Sequence, residues 1–361
     1  MGAVAGICLG TGQSYGLLPL LSLGPALAAV LLSPARTALV GALAIAVCVP
    51  LASYDGMLES IRAIIALVTI AGVTSAGALA SAGRLRRERD LADVRAVAKA
   101  AQQALLRPVP DRVGSTAIAV RYLSASTAAQ VGGDLYEVIA VGGKVRLIVA
   151  DVQGHGLASV GTAASVLGAF REHGYDAPSL TEIAARIERS LHRYLAGNGG
   201  HGAYCEQFAT AVLAEIQPGS PPRLEILNCG HPSPLLLRSD AVTYLDPCEP
   251  GLPLGLSELL PDPRGTTNLD LGPDDRILFY TDGISEARNR QGQFYALSQA
   301  APLLTAADIS TALDQLCSDV VRHVGPRLSD DATALLVSNH AAAVEQPPST
   351  SAAPTLATRL M

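Results

Sequence analysis

Val145-Arg146-Leu147-Ile148-Val149-Ala150-Asp151 is the stretch of this 361-residue chain from which the fold is read. It is strand-like and ends on a carboxylate, and Gly142-Gly143 just before it occupies the place of a two-residue hairpin turn. Residues 135–140 then read as the partner strand, and 117–122 as an earlier one. Downstream come two helical stretches, 157–173 and 180–195. Strand-like runs follow at 207–216, 223–228, 234–238, 242–245 and 276–280, then a helix near 308–324 and a last apolar run at 332–337. Strands, two helices and more strands make an α+β order rather than the regular alternation of a parallel sheet. This soluble domain covers residues 107–339. Residues 340–361, rich in Ala, Ser, Thr and Pro, read as a disordered tail.

The sequence ahead of this domain has a different character. No charged residue precedes Arg36, and residues 16–33, 37–53 and 63–83 are apolar stretches of about the length a helix needs to cross a bilayer. A signal peptide would carry a basic n-region, which is missing here. Residues 1–83 are therefore expected to form an all-α transmembrane segment of about three spans. Arg84, Arg86, Arg87 and Arg89 follow directly, and the positive-inside rule places everything after them in the cytoplasm. The expected location is the cell membrane, multi-pass, with the soluble domain cytoplasmic.

Residues 84–106 contain no proline and read as a linker helix, stopped by Pro108 and Pro110. Leu91, Val94, Ala98, Ala101 and Leu105 follow the spacing of a coiled-coil seam. Two readings stand side by side: an amphipathic helix packed on its own domain, or a stalk joining two copies in a homodimer.

Composition narrows the remaining classes. A net charge of -6 gives no reason to expect nucleic-acid binding. The six cysteines lie far apart without a C-x-x-C pair, which suggests neither a zinc framework nor a disulfide scaffold.

The acids carry the chemistry. Asp134 follows Val131-Gly132-Gly133, Asp151 and Asp282 end apolar runs, and Asp330-Asp331 precede the final strand. Each lies at a strand end beside glycine or another acid, so all could converge on one rim of a sheet. Clustered carboxylates repel one another unless cations neutralise them, and oxygen-only ligands select hard Mg²⁺ or Mn²⁺. Singly, each also reads as a turn residue, Asp282-Gly283 above all.

Taken together and in order, Val131-Gly-Gly-Asp-Leu-Tyr-Glu, Asp151-Val-Gln-Gly-His-Gly, Tyr280-Thr-Asp-Gly-Ile-Ser-Glu and Asp330-Asp-Ala-Thr resemble the signatures of metal-dependent protein phosphatases related to protein phosphatase 2C. More narrowly they are similar to the bacterial SpoIIE-like branch, as are Gln103-Ala-Leu-Leu-Arg-Pro, Asn228-Cys-Gly-His231-Pro and Gly251-Leu-Pro-Leu-Gly. The resemblance implies an α-β-β-α sandwich of two antiparallel sheets flanked by helices, with two Mn²⁺ or Mg²⁺ ions at one edge. Asp134 and Asp151 would ligate the pair, with the Val152 carbonyl contributing. Asp282 and Asp330 would complete one shell, and Asp331 would stand behind them. It further implies hydrolysis of phosphoserine or phosphothreonine on a cytoplasmic regulatory protein, such as an anti-anti-sigma factor, and no covalent phosphoenzyme. The sequence indeed has no Cys-x5-Arg loop.

Glu137 departs from the branch, which carries Asp there; the longer side chain could shift an outer-shell water. His155 reads as loop structure, His231 as a hydrogen-bonded strand-turn residue rather than a catalyst, and residues 192–206 as a mobile Gly-rich loop. Two readings from other classes remain: a phosphatase-like scaffold without catalysis, and a membrane receptor whose soluble domain only dimerises.

Overall fold

The computed structural model describes residues 18–54, 60–124, 133–154, 156–198, 207–238, 241–257, 264–325 and 328–339. The chain divides into two compact units at Val94/Arg95.

In the first unit a short 3₁₀ turn, Leu18–Ser22, leads into α1 (Leu23–Leu31), followed by α2 (Pro34–Tyr54) and the start of α3 (Ile61–Leu105). Helix α3 has 45 residues, so the third apolar stretch and the linker form one uninterrupted helix. Helices α2 and α3 are long and apolar enough to cross a membrane. The first apolar stretch differs from expectation: its helical part, Leu18–Leu31, is only about 20 Å long, short of the roughly 30 Å hydrocarbon core. The C-terminal carbonyls of α1 lack helical partners, and α3 satisfies them. Ser81 donates to Ala29 O at 2.9 Å, and Arg84 donates to Ala29 O, Val30 O and Leu32 O.

The second unit contains two antiparallel sheets. One runs in the order β1 (Arg112–Val113), β2 (Thr116–Leu123), β11 (Ala332–Asn339), β10 (Arg276–Tyr280), β7 (Leu235–Arg238), β8 (Ala241–Tyr244). The other runs β3 (Leu135–Val141), β4 (Lys144–Val152), β5 (Ala209–Gln217), β6 (Arg223–Cys229), β9 (Thr266–Asp270). The β3–β4 hairpin turns at Gly142-Gly143, both at positive φ, as the two-residue turn demands.

The apolar run Leu147–Ala150 within β4 has a physical reason, since both faces of the strand are covered. Leu147 and Val149 point between the sheets, where they meet Val212, Ile226, Phe279 and Leu335. Ile148, Ala150 and Val152 point outward onto α4 (Leu157–His173) and α5 (Leu180–Asn198). The outer face of the other sheet carries a 3₁₀ segment (Leu297–Thr305) and α7 (Ile309–Val324), packed through Leu313, Leu316 and Val320. Asp308 caps α7 by accepting from the Thr311 N–H at 2.7 Å. The expected α-β-β-α sandwich is therefore present.

The last turns of α3 join this unit. Ala98 is buried against Val160, and Leu105 packs partly against the α4–α5 layer, whereas Leu91, Val94 and Val97 are exposed. The seam residues thus divide: the later ones pack on their own domain, while the earlier ones present an open apolar strip.

One buried ion pair ties the layers. Arg146 on β4 donates to Glu215 on β5 at 2.5 Å and to the Gly174 and Ala177 carbonyls at 2.8 Å. Removing one partner of such a pair strands a buried charge. Glu215→Ala is expected to destabilise the protein by about 3–5 kcal/mol, measured by denaturant unfolding.

Candidate metal centre

The acids singled out in the sequence meet at one rim of the sandwich, and two glycines bring their loops close. Gly133, just before β3, lies against the end of β4: a Cβ there would stand 2.0 Å from Val152 O and 2.8 Å from Asp151 Oδ1. Gly283, in the short helix α6 (Asp282–Ser285), would place a Cβ 1.9 Å from Asp331 O. Asp282-Gly283 is therefore not a hairpin turn. Its glycine is needed because α6 presses on the turn before β11.

Asp134 is buried at the head of β3. Its Oδ2 accepts from Thr281 Oγ1 at 2.6 Å and Thr333 Oγ1 at 2.8 Å, two residues of the opposite sheet's strand ends. Thr333 N–H in turn donates to Thr281 Oγ1 at 2.9 Å. Asp151, near the end of β4, pairs with Thr210 of β5 in register. Asp282 follows Thr281 directly, and Asp330 is exposed, its Oδ1 accepting the Asp331 N–H at 2.8 Å. Asp331 is buried, and its Oδ2 accepts from Tyr122 OH. Gln102 of α3 reaches the same place, donating to Tyr122 OH at 3.0 Å and Asp134 O at 3.1 Å.

These carboxylates raise one another's pKa. Burial pushes Asp134 well above the ordinary carboxylate range, and the charge of Asp151 adds to it against the two threonine hydroxyls. Asp151 is pushed up to about 7, by burial and then by Asp282 and Asp330. Asp282 is raised by burial, Asp330 and Glu286; Asp330, although exposed as a residue, is raised by partial desolvation of its carboxyl, with Asp331 and Glu286 adding to it. A rim that resists its own ionisation is one that a cation would relieve.

The donor set fits a hard divalent ion. It consists of carboxylate oxygens, and the Val152 carbonyl lies beside Gly133 and Asp151. Among the described residues no three His, Cys, Asp or Glu side chains close into a ligand set by themselves.

Sequence reasoning missed Thr281, Thr333, Tyr122, Gln102 and Glu286. Three of these lie inside the quoted motifs: Thr281 before Asp282, Thr333 closing Asp-Asp-x-Thr, and Glu286 ending Tyr280–Glu286. The expectation for Glu137 is corrected. It is buried on β3 and committed to Arg171 of α4, which also donates to Leu105 O at 2.6 Å. His155, residues 199–206 and the tail 340–361 lie outside the described residues.

Known proteins can now be set beside this geometry. Phosphoserine phosphatase RsbP of Bacillus subtilis (strain 168) is 29% identical over 168 residues, which are 46% of this chain and 39% of that protein. The RsbU and RsbW domains of Rv1364c from Mycobacterium tuberculosis share 27% identity at a TM-score of 0.50, over 62% of this chain and 60% of that one. The PP2C phosphatase domain of SpoIIE from Bacillus subtilis, with a fragment of its regulatory domain, shares the fold at a TM-score of 0.52. It is 17% identical, and the likeness covers 62% of each chain. The chain spans less than two thirds of the length of RsbP and of the Rv1364c structure. The family model described as "Stage II sporulation protein E (SpoIIE)" matches residues 141–340, more than half of the sequence, with Asp151, Asp282 and Asp330 inside the match and Asp134 ahead of it; the chain belongs to the SpoIIE family.

Proposed function

We propose that this chain is a membrane-anchored, metal-dependent protein serine/threonine phosphatase. The observation that carries the reading is the oxygen-only rim, to which both sheets contribute acids that raise one another's pKa. Asp134, Asp151, Asp282 and Asp330, with the Val152 carbonyl, are the residues that would hold two Mn²⁺ or Mg²⁺ ions. Such ions, when bound, supply Lewis acidity to water and to phosphoryl oxygens.

The protein's own part is to hold and orient. Thr281 and Thr333 fix one oxygen of Asp134, whose carboxyl also meets that of Asp151. Tyr122 and Gln102 hold Asp331 and the Asp134 peptide from behind. Rigid support of this kind matters because misplacing a reacting group by about 1 Å can cost about 10²-fold in rate.

The substrate proposed is a phosphorylated cytoplasmic regulatory protein, such as an anti-anti-sigma factor. RsbP, a relative, is named a phosphoserine phosphatase. For the anchor, the reading supported best is a hairpin of two spans, α2 and α3. Arg84 reaches the carbonyl of Leu32, next to the start of α2, so Arg36 and the Arg84–Arg89 cluster share one end. The positive-inside rule makes that end cytoplasmic. The domains proposed remain a membrane segment through residue 83, a linker helix, a catalytic domain to 339 and a tail. A homodimer would use the open strip of Leu91, Val94 and Val97.

The test is hydrolysis of a phosphoserine peptide by the full-length protein in detergent, with Mn²⁺ and with EDTA. Turnover should require Mn²⁺ and fall by at least about 10²-fold in Asp282→Ala, with unfolding still cooperative. Turnover that persists in EDTA would end the metal reading. A folded wild type that binds Mn²⁺ but turns over no phosphopeptide would favour the scaffold.

A further inference from the structure

His231 is used by nothing described so far, yet its placement is unusually constrained. It lies just after β6 in the turn Asn228-Cys229-Gly230-His231-Pro232. Asn228 clamps both of its backbone groups: Nδ2 donates to His231 O and Oδ1 accepts the His231 N–H, each at 2.8 Å. The side chain is buried between the two sheets. Nδ1 lies 3.0 Å from Thr210 Oγ1, on β5, and Thr210 is the residue paired with Asp151. Nε2 is also buried and has no hydrogen bond of ordinary geometry, although the Tyr280 backbone is the group that favours its protonation. Tyr280 ends β10, two residues before Asp282.

Burial keeps this ring neutral, with a pKa pushed down to about 3. A neutral imidazole offers one donor and one acceptor. With the N–H on Nε2, Nδ1 accepts from the Thr210 hydroxyl, and the Tyr280 backbone acts on the same ring. The imidazole then stands between the strand that braces Asp151 and the strand that leads into Asp282. A buried polar group without a full set of partners costs stability, so the fold tolerates it here against a core that would be better filled by carbon.

We propose that His231 is a positioning residue that sets the separation between the acids contributed by the two sheets, spacing the Thr210–Asp151 pair from the Tyr280–Asp282 strand end. The proposal rests on reading the rim as a divalent-metal site. His231 touches neither ion nor substrate. It acts through Thr210 and through the backbone of Tyr280, in the manner of the outer residues that orient metal ligands and whose loss costs about 10–100-fold in affinity.

The experiment is Mn²⁺ titration by calorimetry on the full-length protein in detergent, with thermal unfolding in EDTA recorded for each variant. His231→Phe keeps the ring volume and removes both nitrogens; Thr210→Val leaves the imidazole and removes its partner. Both are expected to weaken Mn²⁺ binding by about tenfold or more. His231→Asn, whose side-chain oxygen can accept from the Thr210 hydroxyl where Nδ1 did, should recover part of that loss. Ile226→Ala, a cavity in the same inter-sheet layer, controls for stability alone: it should lower the unfolding temperature in EDTA and leave Mn²⁺ affinity unchanged. Should His231→Phe fail to fold, Thr210→Val decides the matter. Wild-type affinity in Thr210→Val, or in a folded His231→Phe, would overturn the proposal, as would an equal loss in Ile226→Ala. A wild type that binds no Mn²⁺ would instead overturn the metal reading on which it rests.

Discussion

Gly133→Ala is expected to yield a protein without measurable phosphatase activity and with weakened Mn²⁺ binding, from the addition of a single methyl group. The reason is space and not backbone conformation, since Gly133 is not among the glycines at positive φ. A Cβ would lie 2.0 Å from Val152 O and 2.6 Å from Val152 N, and neither is a side chain that can rotate away. The segment must therefore lift off β4. Lifting breaks the Val152 N–H to Gly133 O bond, 3.2 Å long, and carries Asp134 with it. Asp134 is held in turn by Thr281 and Thr333 on the other sheet, so displacement at one residue disturbs both sides of the rim. Overpacking a rigid site costs about 1–3 kcal/mol in stability. The loss of geometry costs more in rate, since a shift of about 1 Å is worth about 10²-fold. Gly168→Ala supplies the contrast. It lies in α4 with nothing within 4 Å of the added methyl, and is expected to be neutral or to stabilise by up to about 1 kcal/mol. Phosphopeptide turnover and thermal unfolding of the two variants check both halves. A Gly133→Ala protein with wild-type turnover would show that the close approach of this loop to β4 is unimportant.

The same contrast explains what could be read from the chain in advance. Patterns that depend on one local rule were legible. Gly142-Gly143 set the hairpin, Asp308 marked the start of α7, and residues 157–173 gave α4 with its observed bounds. The acids were legible because each sits where a strand ends, and strand ends of a sandwich share a rim. What escaped was relational. Strand β9 is an edge strand of Thr, Asn and Asp around one Leu269, and it becomes a strand only because β6 offers it a ladder. Thr281 and Thr333 looked like spacer residues beside the carboxylates, although their hydroxyls orient Asp134 from 147 and 199 positions away. Gln102 sits one residue before the Gln103 landmark, and nothing in helical periodicity says that its amide reaches Asp134. The seam in α3 followed the coiled-coil spacing throughout, but Ala98 found its partner in Val160 of the same unit. Spacing gives a helix its face; only the packed domain decides what covers it. The apolar content of residues 16–33 was legible too, while its division into a 3₁₀ turn and the short helix α1 was not.

Divalent metal should stabilise this protein much more at pH 8 than at pH 5. Asp134, Asp151, Asp282 and Asp330 all have folded-state pKa values above the ordinary carboxylate value of about 3.9. For a raised group the sign is fixed. Its contribution to stability is fully present below the unfolded pKa and is lost as pH rises through the folded value, which for Asp151 is about 7. The metal-free protein therefore carries increasing repulsion between about pH 4 and pH 7. A bound cation reverses this, because it requires the ionised carboxylates and competes with protons for them. His231 acts in the opposite direction over part of the range. Buried neutral with a pKa of about 3, it favours folding increasingly as pH rises toward the unfolded value of about 6.5. Its effect is the same with and without metal, so it cancels in the difference between the two melts. Glu188 and Glu215, held below the usual range by Arg264 and Arg146 against the opposing pull of burial, stay ionised throughout this window and also cancel. The measurement is the unfolding temperature of the full-length protein in saturating Mn²⁺ minus that in EDTA, at pH 5 and at pH 8. Metal at about 100 times its dissociation constant adds about 2.7 kcal/mol, which for a domain of this size is on the order of 5–10 °C. That increment should be present at pH 8 and largely gone at pH 5. Asp151→Asn removes one repelling charge, so it should raise the EDTA melt at pH 8 while shrinking the Mn²⁺ increment. An increment that is equal at both pH values, or unchanged in Asp151→Asn, would mean that the acidic rim is not where the ion binds.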